Sequence, residues 1–291
     1  MRKQALILAV AALLGLVLSG AAMANTIVWG NNATFGNVTL EAFDMTAGGI
    51  VVQQFLAPNP IAVADNGRGI AVAGTTIYYT TANSGNIYVT DSNSHADLGI
   101  LVNTGLSGIA SIAYDGTDLY VIPYNNGTGV FKYSTAGALI GNIAPGFGGN
   151  NQDGFEIAND NIIMNRGDAV GPYDKYDLLG NLVQADFIVP SFAPTGITFD
   201  GTNFYVSSIF TNQIATYDIN GNFITISDLG LPLPPTSSGR LIEDLSALGN
   251  VPDNPPPGNG ETPGAIPEPA TMLLLATGLA GFMAARRRAR T

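Results

Sequence analysis

The sequence predicts an all-β fold, a β-propeller of five four-stranded blades, on three observations. First, four segments align with one another: Gly69-Ile-Ala-Val-Ala-Gly-Thr-Thr-Ile-Tyr-Tyr, Gly108-Ile-Ala-Ser-Ile-Ala-Tyr-Asp-Gly-Thr-Asp-Leu-Tyr, Gly154-Phe-Glu-Ile-Ala-Asn-Asp-Asn-Ile-Ile and Gly196-Ile-Thr-Phe-Asp-Gly-Thr-Asn-Phe-Tyr. Their leading glycines recur at intervals of about 40 to 46 residues, the spacing of four-stranded propeller blades. Second, no segment sustains a 3.6-residue apolar period, which argues against an α/β alternative. Third, the two ends of the body complement each other, so that one blade built from both termini would close a circle of sheets without an exposed edge.

Each aligned segment reads as a short apolar strand, a tight turn and a second strand. Asp115-Gly116 and Asp200-Gly201 are hairpin signals whose two turn positions call for positive φ. A third strand follows in each unit: Asn86 to Asp91, Gly129 to Tyr133, Tyr173 to Asp177 and Gln213 to Asp218. Turns bearing Gly137, Gly180 and Gly221 then lead into a fourth, such as Ala138-Leu-Ile-Gly and Asn222-Phe-Ile-Thr-Ile. Four short strands with polar turns form a meander that cannot bury both faces alone, so the units must pack face to face, radially. The first unit starts one strand late: Thr26 to Trp29 is a second strand, Asn37 to Asp44 a third and Gly49 to Leu56 a fourth. The missing inner strand comes from Arg240 to Leu248. A sixth blade would require strands hidden in the irregular Ile143 to Asp153 stretch. In the Gly-Ile-Ala strand followed by Asp-Gly and an aromatic strand, the repeats resemble NHL and gluconolactonase-type propeller units.

Both ends of the chain read as addresses. Arg2 and Lys3, the apolar stretch Ala5 to Leu18 and Ala22-Met23-Ala24 form a signal peptide, cut by signal peptidase between Ala24 and Asn25. The body spans residues 25–250, and residues 251–264 (VPDNPPPGNGETPG) are a Pro- and Gly-rich spacer that cannot bury a face. Then come Pro267-Glu268-Pro269, an uncharged apolar segment over residues 270–285 and Arg286-Arg287-Arg288 with Arg290. Sixteen uncharged residues lie near the lower limit for a membrane-spanning helix, and the arginines place the C-terminus in the cytoplasm and the body outside. This order of motif, span and basic end resembles the PEP-CTERM sorting signal of Gram-negative bacteria. The resemblance implies export, transient anchoring in the inner membrane, handling by an exosortase, and delivery to the cell surface or an exopolysaccharide matrix.

Composition excludes several classes. The body keeps 5 basic residues (Arg68, Lys132, Arg166, Lys175, Arg240) against 19 of the chain's 22 acids. Such a field repels nucleic acid and anionic lipid, leaving the tail as the membrane contact. There is no cysteine and one histidine, His95, on a polar loop. With no Gly-x-Ser-x-Gly elbow beside it, a serine-histidine triad is not expected, and a histidine-rich zinc site is excluded. Gly146-Phe-Gly-Gly-Asn-Asn lacks the lysine and helix of a phosphate cradle, and Asp218-Ile-Asn220-Gly lacks the distal glutamate of a calcium loop. The sequons at Asn32, Asn37 and Asn126 read as coincidental.

The remaining candidates are carboxylates and aromatics. Asp153 and Glu156 flank the start of one inner strand, and Glu243 and Asp244 lie on the corresponding strand of the shared blade. Inner strands line a propeller's channel, where these four would converge on a hard cation such as Ca2+; lactonase-type propellers hold a metal there. Against this, acidic residues at strand ends usually cap turns, and alternation turns only every second side chain inward. Tyr79, Tyr120 and Tyr205, with Tyr88, Tyr133 and Tyr217, recur at equivalent positions and read as interblade core, with a few placed to stack on sugars at the rim. The expected function is a non-enzymatic structural or binding propeller of the cell surface or exopolysaccharide matrix. The alternatives are a Ca2+-dependent lactonase-like hydrolase outside the membrane and a platform for protein partners.

Overall fold

A computed structural model describes residues 25–34, 38–59, 65–124, 129–144, 153–167, 171–230 and 240–247. The signal segment with Ala24, the spacer, the tail with Pro267, Glu268, Pro269, Arg286, Arg287 and Arg288, the sequons Asn37 and Asn126, and the Gly146 loop lie outside them. Among the described residues there are twenty strands and no helix, hence no helix long and apolar enough to cross a membrane.

The strands form five separate four-stranded antiparallel sheets, the predicted five blades. Blade 1 orders β20 (Ile242–Ala247), β1 (Ile27–Asn32), β2 (Thr39–Asp44) and β3 (Ile50–Leu56) from inside out, so the C-terminal strand does supply its inner edge. Blade 2 runs β4 (Gly67–Ala73), β5 (Thr76–Thr81), β6 (Asn86–Asp91) and β7 (Asp97–Asn103). Blade 3 runs β8 (Ile109–Tyr114), β9 (Asp118–Pro123), β10 (Phe131–Ser134) and β11 (Leu139–Asn142). Blade 4 runs β12 (Phe155–Ala158), β13 (Asn161–Asn165), β14 (Tyr173–Asp177) and β15 (Leu182–Ile188). Blade 5 runs β16 (Gly196–Phe199), β17 (Asn203–Ser207), β18 (Gln213–Asp218) and β19 (Phe223–Asp228). The inner strands touch in cyclic order, β20 to β4, β8, β12, β16 and back to β20, which closes the circle.

The core is divided among the blade interfaces because strand side chains alternate between two faces. Five apolar clusters result, one between each pair of neighbouring blades. On β5, Ile77 and Tyr79 enter the cluster shared with blade 1, while Tyr78 between them enters the one shared with blade 3. All six repeated tyrosines are buried there, none of them placed at the rim for a sugar. Val28, Phe43 and Leu245 meet Tyr205 and Ile214 across the closing interface, so the last joint is packed like the other four.

The Asp-Gly hairpins differ from the expected two-residue turn. Only Gly116 and Gly201 take positive φ (92° and 93°). The aspartates instead fold the turn with their side chains: Asp115 Oδ1 accepts from the backbone N–H of Thr117 and Asp118, both at 2.8 Å. Asp200 Oδ1 accepts from Thr202 and Asn203, both at 2.7 Å. The other oxygen of each takes the hydroxyl of the tyrosine five residues on, Tyr120 at 2.6 Å and Tyr205 at 2.8 Å. One repeated residue type thus shapes the turn and satisfies a buried phenol.

Candidate functional site at the channel

Five inner strands crowd round the axis, and glycine allows the crowding. A Cβ on Gly196 would lie 2.6 Å from both Asp244 Cα and Glu243 O, backbone that cannot move aside. The inner edge of each sheet also leaves N–H groups without a strand partner, and buried N–H groups must find acceptors. Side chains of other inner strands supply them. Asp244 Oδ2 accepts from Ile70 N (3.2 Å), Ser111 Oγ (2.7 Å) and Ile112 N (3.4 Å), joining blades 1, 2 and 3. Ser246 Oγ accepts from Val72 N at 2.9 Å, and Thr198 Oγ1 from Ala247 N at 2.9 Å. Glu156 spans its own Ile157 N (2.8 Å) and Phe199 N of blade 5 (3.2 Å).

The four predicted carboxylates are therefore all drawn to the inner strands and buried, in two different settings. Asp244 and Glu156 serve backbone N–H groups. Glu243 and Asp153 bracket Arg68: its Nη1 donates to Glu243 Oε1 and lies 3.7 Å from Asp153 Oδ1, while the guanidinium stacks over Tyr124 at 4.4 Å. This ionic cluster ties four blades together at the channel end opposite the Asp-Gly hairpins. Among the described residues, no group of three or more His, Asp or Glu side chains is arranged to hold a metal ion. Glu243 and Asp244 are consecutive, and alternation separates their carboxyls.

Arg68 was missed from sequence. The available signal was its place between Gly67 and Gly69 at the head of an inner strand, as one of the body's few cations. Burial pushes the Glu243 carboxyl up to about 7, against the opposing pull of Arg68. Burial likewise raises Asp244 well above the carboxylate range, with Ser111 and backbone N–H groups opposing. Glu243 Oε2 and Asp244 Oδ1 are buried without a hydrogen-bond partner among the described residues. A second buried ion pair, Arg240 Nε to Glu41 Oε2 at 2.7 Å, fixes the entry of β20, with Arg240 Nη1 also on Leu229 O.

The other sequence candidates have structural occupations. His95 stacks on Phe55 with ring centroids 3.9 Å apart, its Nε2 2.9 Å from Gln53 Nε2. Asn32 is buried and donates to Glu41 Oε1 at 3.0 Å, which withdraws that sequon from glycosylation. Asp218 folds its own hairpin by accepting from Asn220 N and Asn222 N. Asn25 donates to Asp44 Oδ2 at 2.8 Å, so the predicted first residue of the mature chain is held by blade 1.

Comparison with known proteins bears on fold and address. Residues 265–288 match the PEP-CTERM protein-sorting motif. The fold is similar to that of a chain in the crystal structure of a nidogen/laminin complex, with a TM-score of 0.52 over 78% of this chain and 99% of that one. At 11% identity the likeness is one of fold alone. No curated protein matches the sequence. The motif implies export, C-terminal membrane anchoring and processing by exosortase, and so the chain is an exported, exosortase-sorted protein with a five-bladed β-propeller body.

Proposed function

We propose that this protein is a non-enzymatic structural or binding component of the cell surface or exopolysaccharide matrix of a Gram-negative bacterium. Signal peptidase frees Asn25 by cutting after Ala24, exosortase acts near Pro267-Glu268-Pro269, and the spacer over residues 251–264 holds the propeller off the membrane until then. The observation that carries this reading is the sorting motif on a propeller whose channel carboxylates are engaged by N–H groups and a guanidinium. The test is retention. Exported protein should be pulled down by isolated matrix polysaccharide or stay with whole cells, and deleting residues 265–291 should move it to the medium without unfolding it. If neither polysaccharide nor cells retain the protein, the reading fails.

One observation favours a second reading, a Ca2+-dependent lactonase-like hydrolase. A channel carboxyl that titrates near 7, as Glu243 does, suits a general acid or base. Lactone turnover that requires added Ca2+ and is lost in Glu243→Gln would promote it. A thermal midpoint unchanged between millimolar Ca2+ and EDTA would remove its cation, since a ligand bound by the folded state must raise stability.

A further inference from the structure

In every blade the fourth strand breaks register with the third at the same place, one step in from the hairpin that joins them. The shift falls between Ala42 and Phe43, Val89 and Thr90, Lys132 and Tyr133, Lys175 and Tyr176, and Thr216 and Tyr217. It leaves one extra residue on the outer strand: Val52, Leu98, Ile140, Val183 and Ile224. A bulged residue has no partner across the ladder and is aimed by the local kink. All five are large aliphatics, 51–57% exposed. Each has a second exposed apolar neighbour on its strand, in order Ile50, Ile100, Leu139, Leu182 and Phe223. Scattered exposed apolar side chains are ordinary. The same class at the same bulge in five blades is a circumferential apolar belt.

Charge says what the belt can meet. The five outer strands contain no lysine or arginine, and their acids are Asp97, Asp186 and Asp228, of which Asp186 is paired with Arg166. The acidity of the body is instead concentrated on the hairpin face, at Asp44, Asp91, Asp115, Asp160, Asp177, Asp200 and Asp218. A basic partner would be drawn to that face, an anionic lipid surface repelled by it, and a glycan offered aliphatic carbon in place of hydrogen-bonding groups. On the rim two equally acidic bodies can touch with less repulsion than on the hairpin face. We propose that the belt is a self-association surface, taking a second copy of this chain rim to rim through the bulged aliphatics.

The bulges disturb the outer edge as a template for a further strand, so side-chain packing carries the contact. Two to four aliphatic side chains from each copy bury only a few hundred Å2, below the ~1,200 Å2 of a stable complex. Each contact is therefore weak. Five equivalent patches on copies concentrated at one membrane by a sorting tail make weak contacts add. The inference stands apart from the proposed matrix role, because it concerns copies of the chain wherever they reside.

The test is sedimentation of the full chain in mild detergent over a concentration series. The weight-average mass of the protein should rise at least about twofold with concentration, as expected for reversible homo-oligomers. The variant Val52→Ser, Leu98→Ser, Ile140→Ser, Val183→Ser, Ile224→Ser should stay at its starting mass. The control Leu179→Ser, Phe210→Ser, Ile219→Ser, exposed apolar positions outside the fourth strands, should associate as the parent does. No concentration dependence in the parent, an unchanged rim variant, or equal loss in both variants would each overturn the proposal. Because the chain has no cysteine, Val183→Cys gives a readout that needs no fivefold substitution. Mild oxidation should cross-link it between copies several times faster than Phe210→Cys, and equal rates would also overturn the proposal.

Discussion

The innermost and outermost strands of this propeller invert the usual expectation of polar outside and apolar inside. β20 reads Ile-Glu-Asp-Leu-Ser-Ala and is buried along its whole length, whereas β3 reads Ile-Val-Val-Gln-Gln-Phe-Leu and exposes every second residue. At the axis the sheets present unpaired N–H edges to one another, and apolar side chains would leave those donors unsatisfied. Acidic and hydroxyl side chains are needed there as acceptors, so polarity serves packing. At the rim no comparable demand exists, because the outer edge faces water. The exposed apolar residues there answer no such demand, and the five bulged aliphatics point to a contact outside the fold. The same residue chemistry must be read against the strand edge it meets.

The largest effect should come from breaking the axis. Asp244→Ala removes the acceptor for Ile70 N, Ile112 N and Ser111 Oγ together, and should cost about 3–5 kcal/mol. Asp244→Asn keeps a carbonyl oxygen in place. Because burial favours the neutral acid, it should cost only about 1 kcal/mol. Denaturant titration of both variants separates the two roles. If the amide costs as much as the alanine, a charge at the axis matters and the acceptor account is wrong.

Much of this architecture was legible in the chain, for reasons specific to each feature. The glycine at the head of four of the five inner strands (Gly69, Gly108, Gly154 and Gly196) is required because neighbouring backbone leaves no room for a Cβ, so it recurs visibly. β20 was placed in blade 1 because a circle of sheets needs an inner strand that the N-terminus lacks. Two things were hidden. The partners of Arg68 and Asp244 are set by which inner strands face each other across the channel, and Arg68 and Glu243 lie 175 residues apart in sequence. Equally hidden was that Glu156 and Asp244 accept from backbone N–H groups of neighbouring inner strands. The bulges were invisible because a strand's alternation is read on that strand alone, while a register shift is a relation between two.

Protons should tune the axis by an intermediate amount. The folded Glu243 carboxyl titrates near 7 rather than at 4.5, so folded protein binds this proton more tightly than the unfolded chain. The resulting stabilisation is complete below about pH 4.5 and lost as pH rises through 7, on the order of 3 kcal/mol. Asp244 acts in the same direction. Hydrogen-bonded aspartates oppose at the acid end: Asp174 beside Arg166, and the turn-forming Asp177 and Asp218, are held below the ordinary value and lose their contribution as pH falls through it. Thermal midpoints should thus be higher at pH 5 than at pH 7.5, and Glu243→Gln should reduce that difference. A parent protein more stable at pH 7.5 would mean that Arg68 keeps Glu243 ionised.

The smallest effect belongs to the rim, and its smallness is the point. Val183→Ser or Ile224→Ser, at positions more than half exposed, should each change stability by no more than about 0.5 kcal/mol. Ile163→Ala, which empties space between blades 4 and 5, should cost about 2–5 kcal/mol. Val183 and Ile163 are both aliphatic residues of blade 4, separated by position alone. If the rim serines prove as costly as the core alanine, the outer strands stabilise the fold and the belt needs no partner. If they prove neutral for folding yet abolish association, the apolar rim is there for another copy of the chain, and the polar axis for the fold itself.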